Sequence, residues 1–513
     1  MTPPTPPHDR TDRRLLWTVG GLTALVSLAT AWHYDAAGLA LSHYDAKGHL
    51  VVARRIFDSL TPGWRQIGAV WLPLPHLLNA LPSQVDAWYR TGASAILLSM
   101  ACFVFTSVTL ARLVTAATGS LAGAAAAVIV FASDPNVLYL QSTPMTEPLL
   151  FACLAAAALA TYRWVESGGT HGVVRAGLWM SAACWTRYEA WPVTAALLAL
   201  GTLILAIDLR SPAEALRRGL RLAAWPIGAI LLFTVHSRAT IGEWFTTGGF
   251  FVPENKALGK PWLAASQVVW GLIAVVGQWP VVIAALGIAA TLVAALRQPS
   301  RRALLVALAL AGTAALPFYA FVSGHPFRIR YMIVLAVALS AWNGVAVASL
   351  PRRLRGLGVA LVAVAALWDA SPWAATAPMV REAQWDRPNI TARRVITDCL
   401  VRGFERPDHK ILASMGSLAH YMQELSADGF ALDDFVHEGI GDLWGQFLLR
   451  PSRHVEWVLF NEYSEGGDEL TKLRTAPGST FADGFTRVCE GAGLALYRRD
   501  PIGQARHLDA ASD

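Results

Sequence analysis

Four polar stretches, each at the edge of an apolar run, contain the residues best suited to chemistry. The first contains Asp45, with His49 four residues later and Arg54 further along. If a helix begins near Asp45, His49 lies on the same helical face and brings a possible cation close to the carboxylate. A carboxylate in such a position can act as a general base. An equally good explanation is that Asp45 caps the helix, a role for which aspartate is well suited.

The second and third stretches combine acidic residues with an arginine. Residues Thr143 to Pro148 place Glu147 at the entry to an apolar helix. A charge at mid-bilayer costs roughly 2.5 to 3.5 kcal/mol, and less at the membrane edge, so Glu147 calls for a partner. The simpler explanation is attraction to the helix N-terminus, worth roughly 0.3 to 1 kcal/mol. The third stretch contains Arg187, Tyr188 and Glu189, whose two charges could pair, snorkel to the interface or bind a substrate.

The fourth stretch contains His325, Arg328, Arg330 and Tyr331. One arginine here would serve as an interface anchor. Two arginines with a histidine and a tyrosine suit an anionic group, because guanidinium groups bind phosphate oxygens bidentately. We therefore predict that this stretch binds a phosphate.

The composition places these residues in a membrane protein. Of the 513 residues, 54% are hydrophobic and 15% charged, which is too apolar for a soluble chain of this length. The formal charge of +6 comes from arginine clusters between apolar runs. That pattern indicates membrane topology and argues against nucleic-acid binding.

Apolar runs of about 17 residues or more predict a polytopic helical bundle with about eleven spans. The predicted spans lie near residues 15–32, 92–112, 119–133, 145–162, 175–189, 190–207, 220–237, 280–296, 303–322, 331–350 and 357–372. A further apolar stretch near 264–278 is predicted to be re-entrant or interfacial. The first run resembles a cleavable signal peptide, but we expect a retained helix because it is long enough to cross.

The loop charges predict the orientation of this bundle. With a cytoplasmic N-terminus, arginines recur in the loops on the same side, as the positive-inside rule requires. The four polar stretches then all lie on the extracytoplasmic side of a plasma or inner membrane. The opposite-side loops are His33 to Pro82, Ser133 to Thr146, Thr186 to Trp191, His236 to Trp262 and Ser323 to Arg330.

Three parts of the chain follow from these patterns. Residues 1–14 are predicted to be a disordered cytoplasmic N-terminus, and residues 15–372 a transmembrane catalytic domain with a large first outer loop at 33–82. Residues 373–513 have the composition of a soluble α/β domain on the extracytoplasmic side. Within it we predict strands at Lys410 to Met415 and Val455 to Phe460, and helices at Asn389 to Phe404 and Ser417 to Ala427.

Cysteines and known motifs narrow the chemistry. Cys399 and Cys489 could pair if the C-terminal domain faces an oxidising compartment, but two unpaired thiols are the simpler expectation. The sequence contains no Walker A loop, dinucleotide fingerprint, zinc-protease pair or nucleophile elbow. It also lacks an Asp-x-Asp pair that would hold a metal for a nucleotide sugar. We therefore expect no cofactor, find no support for a divalent metal, and expect any sugar donor to be carried on lipid.

The order and common side of these stretches resemble the GT-C superfamily of polytopic glycosyltransferases, which includes protein O-mannosyltransferases and the aminoarabinose transferase of lipid A. The resemblance rests on four pieces that span most of the membrane part. They are Tyr44-Asp45-Ala46 after the first span, the Thr143 to Pro148 helix entry, the Thr186 to Glu189 turn and the Arg328 to Tyr331 entry.

The resemblance implies an inverting transfer from a polyprenyl-phosphate sugar to an acceptor hydroxyl, with a first-loop carboxylate as base. That base would be Asp45, although Asp35 lies in an identical His-Tyr-Asp-Ala string. Glu147 would orient an arginine or the sugar. The implied substrate-binding residues are His49, Arg54, Arg187, Tyr188, Glu189, His325, Arg328, Arg330 and Tyr331. The acceptor would be a glycan, lipid or protein, in contact with membrane lipid.

The alternative from another class is a transporter or flippase for a lipid-linked or anionic substrate. Such a protein would use the same arginines for binding. It would also be expected to carry ionisable residues at mid-membrane and broken helices in paired repeats. Most charges here lie at span ends and no repeat is evident, which favours the enzyme.

Overall fold

The computed structural model describes residues 7–244, 255–369, 371–406, 409–464 and 467–500. Residues 1–6 of the predicted disordered N-terminus and residues 245–254 of one predicted outer loop lie outside these ranges. The chain divides into two compact units. The helical unit comprises the described residues of 7–40, 96–235 and 255–382, and the α/β unit those of 41–95, 236–244 and 383–500.

The described residues are mostly helical. The helices are α1 (Pro7–Ala36), α2 (Tyr44–Arg54), α3 (Leu74–Asn79), α4 (Asp86–Thr91), α5 (Ala93–Thr118), α6 (Leu121–Ser133), α7 (Pro135–Leu140), α8 (Glu147–Glu166), α9 (Val173–Cys184), α10 (Ala190–Leu209), α11 (Pro212–Ile241), α12 (Pro261–Val276), α13 (Gln278–Arg297), α14 (Ala315–Val322), α15 (Leu335–Ser349), α16 (Arg355–Asp369), α17 (Pro378–Ala383), α18 (Arg387–Gly403), α19 (Met415–Leu425), α20 (Asp442–Leu449) and α21 (Glu469–Thr475). The strands are β1 (Ile411–Ala413), β2 (Phe435–Val436), β3 (Trp457–Asn461), β4 (Phe485–Gly491) and β5 (Leu494–Arg499).

Seven helical segments in the described ranges are long and apolar enough to cross a membrane. They are Ala93–Thr118, Glu147–Glu166, Ala190–Leu209, Pro212–Ile241, Gln278–Arg297, Ser300–Val322 and Ile329–Ser349. Each of the eleven predicted segments overlaps a helix of the structure. The apolar runs therefore predicted the positions of the helices correctly, whereas the number of membrane crossings stays a prediction. Helix α1 begins at Pro7, earlier than predicted, and proline is well tolerated in a first helical turn.

Helices α8 and α15 form the interior of the helical unit. In the membrane-length segments that contain them, Glu147–Glu166 and Ile329–Ser349, 89% of the most apolar 18 residues are buried inside the protein. A helix that is apolar all round is expected to be enclosed by others, as these two are. Where α15 meets α6, a Cβ atom built on Gly123 would lie 2.6 Å from the carbonyl oxygen of Gly344. The two backbones approach so closely that neither position can carry a side chain.

The α/β unit contains one five-stranded sheet of order β2-β1-β3-β5-β4. Strand β1 is parallel to β2 and β3, whereas β5 is antiparallel to both β3 and β4. A two-residue turn joins β4 to β5. Its residues Ala492 and Gly493 have φ of 53° and 76°, as a hairpin turn with two positive φ angles requires.

Two hydrophobic cores lie on opposite faces of this sheet. Successive strand residues alternate between them, so Ile411 faces one core and Leu412 the other. The first core contains α18 and α19 residues together with Leu50 and Val51 of α2. The large first loop, which the sequence analysis groups with the transmembrane domain, therefore shares a core with the C-terminal strands. The second core packs the sheet against α20 and α21 and includes Trp444.

The C-terminal predictions match the structure closely. Both predicted strands and both predicted helices correspond to β1, β3, α18 and α19. The expectation of two unpaired thiols was wrong, because a disulfide joins Cys399 to Cys489. Helix α18 packs on β4, which brings together two cysteines that are 90 residues apart. Cys102, Cys153 and Cys184 are free and buried.

Candidate functional site

Three charged residues from three separate segments meet inside the helical unit. Glu147 lies in the first turn of α8 and Glu189 at the N-cap of α10, while Arg187 lies in the turn before it. The Arg187 guanidinium lies 3.0 Å from Glu147 Oε1 and 2.7 Å from Glu189 Oε1. It also donates to Thr146 Oγ1 at 3.1 Å. Glu147 thus has the partner that its burial requires, and Arg187 pairs with both acids.

The burial of this trio makes its electrostatics strong. The side chains of Glu147 and Glu189 are 0% and 3% exposed and that of Arg187 is 14% exposed. Burial by itself lowers the pKa of Arg187, but the two carboxylates outweigh it and raise that pKa above its ordinary value. Arg187 donates from Nε and Nη2 to Glu189 and from Nη1 to Thr146, and it pairs with Glu147 by charge. Arg187 is therefore fixed in place and permanently charged.

The fourth polar stretch lies within electrostatic reach of the same trio. Arg330 interacts electrostatically with Arg187. The Tyr331 side chain interacts with four charged groups, which are those of Arg330, Glu189, Arg187 and Arg328. We call these six residues the arginine cluster, and they are Glu147, Arg187, Glu189, Arg328, Arg330 and Tyr331. It holds three cations and two anions. The positive sum of these six side chains would favour an anionic ligand, and phosphate binding by this stretch stays a prediction.

An apolar anchor positions the Arg328 to Tyr331 segment. Phe321, Met332 and Val268 form a small buried cluster on which Phe327 and Tyr331 pack. His325 lies beside Tyr331, with 3.4 Å between its Nε2 and the tyrosine hydroxyl. The apolar side chains are therefore buried while the segment carries its arginines at the start of a membrane-length helix.

The α/β unit holds the predicted base. Asp45 is buried in the first turn of α2, with 8% of its surface exposed. The N-cap of α2 is His43, whose Nδ1 accepts a hydrogen bond from the Asp45 backbone N–H at 3.1 Å. Asp45 is therefore not the residue that caps the helix. Its rival Asp35 is exposed in the last turn of α1, in the other unit.

His49 lies four residues after Asp45 on the same face of α2, as predicted. Its Nδ1 is 3.1 Å from Nε2 of His76, and its ring centroid lies 4.1 Å from that of Trp71. Burial lowers the pKa of His76 to about 3, with Arg55 adding to the effect. A neutral His76 can therefore accept or donate one hydrogen bond to His49 but adds no charge.

Arg54 and Tyr188 have structural partners of their own. The guanidinium of Arg54 lies 2.7 Å from Asp58 and 2.7 Å from Asp86, above the ring of Tyr89. The sequence analysis considered neither acid. Tyr188 packs its ring against Trp191 at 5.3 Å and lies in the turn with Arg187. Substrate contact by either residue stays a prediction.

Sequence reasoning did not identify the charged residues that hold α2 on the C-terminal helices. Lys47, between Asp45 and His49, lies 2.6 Å from Glu424 of α19. Glu424 also binds Arg393 of α18, which in turn binds Asp386. These residues are up to 377 positions apart, and no local spacing signals their contact. Among the described residues, no group of three or more histidine, cysteine, aspartate or glutamate residues is arranged to hold a metal ion.

Comparison with known proteins identifies the fold. No protein-family model matches the sequence, and no curated protein matches it. Two solved structures of ArnT from Cupriavidus metallidurans are similar, one bound to undecaprenyl phosphate and one in the apo state. Their TM-scores are 0.53 and 0.51 at 13% and 15% identity, and the similarity covers 93% and 92% of this chain and 97% and 98% of theirs. Together with the seven apolar helices, this shows that the chain is an integral membrane protein with a fold like that of ArnT.

Proposed function

We propose that this protein is an inverting glycosyltransferase that moves a sugar from a polyprenyl-phosphate donor to an acceptor hydroxyl. The observation that carries the proposal is the net-positive arginine cluster within a fold whose solved counterpart binds undecaprenyl phosphate. The lipid tail would lie among apolar helices, and the phosphate would meet the arginines. The acceptor is a glycan, a lipid or a protein.

Asp45 is the proposed general base. Its carboxylate takes the proton of the acceptor hydroxyl, the freed oxygen attacks the anomeric carbon, and the bond from that carbon to the phosphate oxygen breaks. Attack from the face opposite the leaving group inverts the anomeric centre. The position of Asp45 in the first turn of α2 supports this role, because the helix N-terminus favours the ionised form. General-base catalysis contributes about 10²- to 10⁴-fold in rate.

The arginines are proposed to stabilise the departing phosphate. The leaving group is already an anion and needs no general acid. Arg328 and Arg330 supply the charge, with His325 and Tyr331 as hydrogen-bonding neighbours. Arg187, held by Glu147 and Glu189, contributes a fixed positive field. His49, Arg54 and Tyr188 are proposed to contact sugar or acceptor.

We propose that the site faces the extracytoplasmic side of the plasma or inner membrane. The disulfide between Cys399 and Cys489 supports this orientation for the C-terminal domain, because such bonds persist in oxidising compartments. The positive-inside distribution of loop arginines supports it independently.

Transfer assays test the function. Purified protein in nanodiscs is given a panel of radiolabelled polyprenyl-phosphate sugars with membrane lipids as acceptors. We expect transfer by the wild type and by Asp35→Asn, and a loss of at least about 100-fold in Asp45→Asn. The anomeric configuration of the product, measured by NMR, should be opposite to that of the donor. Equal transfer by Asp45→Asn would remove Asp45 as the base. Movement of intact donor across a liposome, with no transfer from any donor, would indicate a flippase.

A further inference from the structure

Helix α2 has two faces with different partners. Asp45 and His49 share one face, and Lys47, Leu50 and Val51 share the opposite one. The second face packs on α19, where Leu50 and Val51 join the core of the α/β unit. The helix with the proposed base therefore rests on a helix of the C-terminal domain.

A chain of buried charges crosses this packed face. Lys47 Nζ lies 2.6 Å from Glu424 Oε1, and Arg393 lies 2.6 Å from the same oxygen. Arg393 also binds Asp386 through both of its terminal nitrogens, at 2.8 and 2.7 Å. Lys47 and Arg393 are only 4% and 3% exposed. Two cations and two anions compensate each other, so the chain is neutral as a whole.

Glu424 of α19 pairs with Lys47 of α2 and with Arg393 of α18, and so connects the three helices. It lies in the last turn of α19, where the helix dipole disfavours a negative charge. Burial by itself raises the pKa of Glu424, but Lys47 and Arg393 outweigh it and leave that pKa below its usual range. The acid is therefore ionised because two cations from separate helices are held against it.

Stability alone does not explain this arrangement. Apolar side chains of similar size often replace a buried ion pair at no cost in stability. Leu50 and Val51 already attach α2 to the core, and the ion pair adds a directional contact that apolar packing does not supply. A salt bridge of 2.6 Å restricts sliding and rotation of the helix, and catalytic groups must be held to within about 0.5 Å of their working geometry.

We propose that the C-terminal domain positions the proposed base, with Glu424 and Arg393 as positioning residues that act on Asp45 and His49 through Lys47. The proposal rests on the proposed function and assigns to the C-terminal domain a role in catalysis. None of the three charged residues touches substrate. They set the rotation and height of α2, and their loss lowers kcat more than it weakens donor binding.

The decisive variant is the double substitution Lys47→Met with Glu424→Met. It removes one cation and one anion together, and Arg393 keeps Asp386, so no charge is left buried alone. We expect kcat to fall at least about tenfold with the donor KM within twofold, at a melting temperature close to that of the wild type. Lys47→Arg keeps the ion pair and should retain kcat within threefold. The matched control is Asp428→Asn, which breaks the exposed pair with Arg394 beside α19 and should change neither quantity.

Hydrogen exchange of the backbone amides separates this proposal from the proposed function. In the double variant, amides of α2 should exchange at least tenfold faster, while those of β3 and β5 exchange as in the wild type. Absence of transfer from every donor by the wild type would refute the glycosyltransferase and leave this measurement to decide the positioning role. Wild-type kcat or unchanged α2 exchange in the double variant would overturn the proposal. Unfolding of that variant would also overturn it, since it would show that the ion chain only stabilises the fold.

Discussion

The buried trio of Glu147, Arg187 and Glu189 should respond to mutation non-additively. At an effective dielectric constant of about 20, unit charges 3 Å apart attract by roughly 5 kcal/mol before desolvation is counted. Each carboxylate provides one such attraction, at 3.0 and 2.7 Å. Removing one acid leaves Arg187 with the other, whereas removing both leaves a buried cation alone.

We expect Glu189→Gln to cost about 1 to 3 kcal/mol, since the amide oxygen still accepts a hydrogen bond from Arg187. Glu147→Gln should cost less, because Glu147 pairs with Arg187 by charge and its carboxylate oxygens accept no hydrogen bond from the described residues. The double variant should cost about 0.5 to 3 kcal/mol beyond the sum of the single losses, because no carboxylate then offsets the buried Arg187. Of the two single variants, Glu189→Gln should be the more harmful, because Glu189 accepts from both Nε and Nη2 of Arg187.

Thermal melting of the purified protein in one detergent measures this series. The single variants should lower the melting temperature by roughly 2 to 6 °C, and the double variant should fail to fold or melt far below either. Asp208→Asn is the matched control, since it removes an exposed pair with Arg302 at 2.9 Å in the same unit. It should shift stability by less than about 0.5 kcal/mol. A double variant whose loss equals the sum of the two single losses would refute the account of a shared guanidinium.

Three further predictions concern the α/β unit. Burial lowers the pKa of His437 to about 3, far below its unfolded value, so the unfolded chain binds the proton first and stability falls as pH drops below about 6.5. Through this residue, acidification from about pH 6.5 to 5 should lower the free energy of unfolding by about 2 kcal/mol. The melting temperature of His437→Asn should depend less on pH over that range than that of the wild type, and an equal dependence would contradict the lowered pKa. Gly48→Ala places a Cβ 2.9 Å from the Trp71 ring. We expect it to displace the indole from His49 and to lower transfer activity at least severalfold. The control Gly445→Ala, with open space around it, should leave transfer activity unchanged. Alkylation of the denatured, non-reduced protein should label three of the five cysteines, and five labelled thiols would show that the bridge does not form. Reduction should destabilise the unit by about 4 to 5 kcal/mol, because the bridge closes a loop of about 90 residues.

The sequence predicts the helices well because a membrane-length apolar run has few other stable structures. It also predicts that Glu147 needs a partner, which the structure identifies as Arg187. Strand β2 has two residues and β4 alternates weakly, so neither carries a clear periodic signal. The contact of Lys47 with Glu424 and the bridge between Cys399 and Cys489 depend on tertiary packing and have no local signature.

The position of the proposed site residues was predicted to different extents. The face shared by Asp45 and His49 follows from helical geometry alone. The cap of α2 was not predictable, because His43 is an uncommon capping residue and replaces the aspartate at that place. Of the two partners of Arg54, Asp58 lies at a local spacing of four residues, whereas Asp86 lies 32 residues away and could not be assigned from spacing.

The shared core of α2 and the C-terminal strands sets an order of events during synthesis. Lys47 and Glu424 are 377 residues apart, and a ribosome adding about 5 to 20 residues per second needs roughly 20 to 75 s to make the second after the first. Throughout that interval α2 lacks the surface of α19 on which Leu50 and Val51 pack. A chain that ends before β1 would leave the helix in this state permanently, so a nascent chain of that length should be recognised by chaperones and proteases rather than fold as a smaller protein.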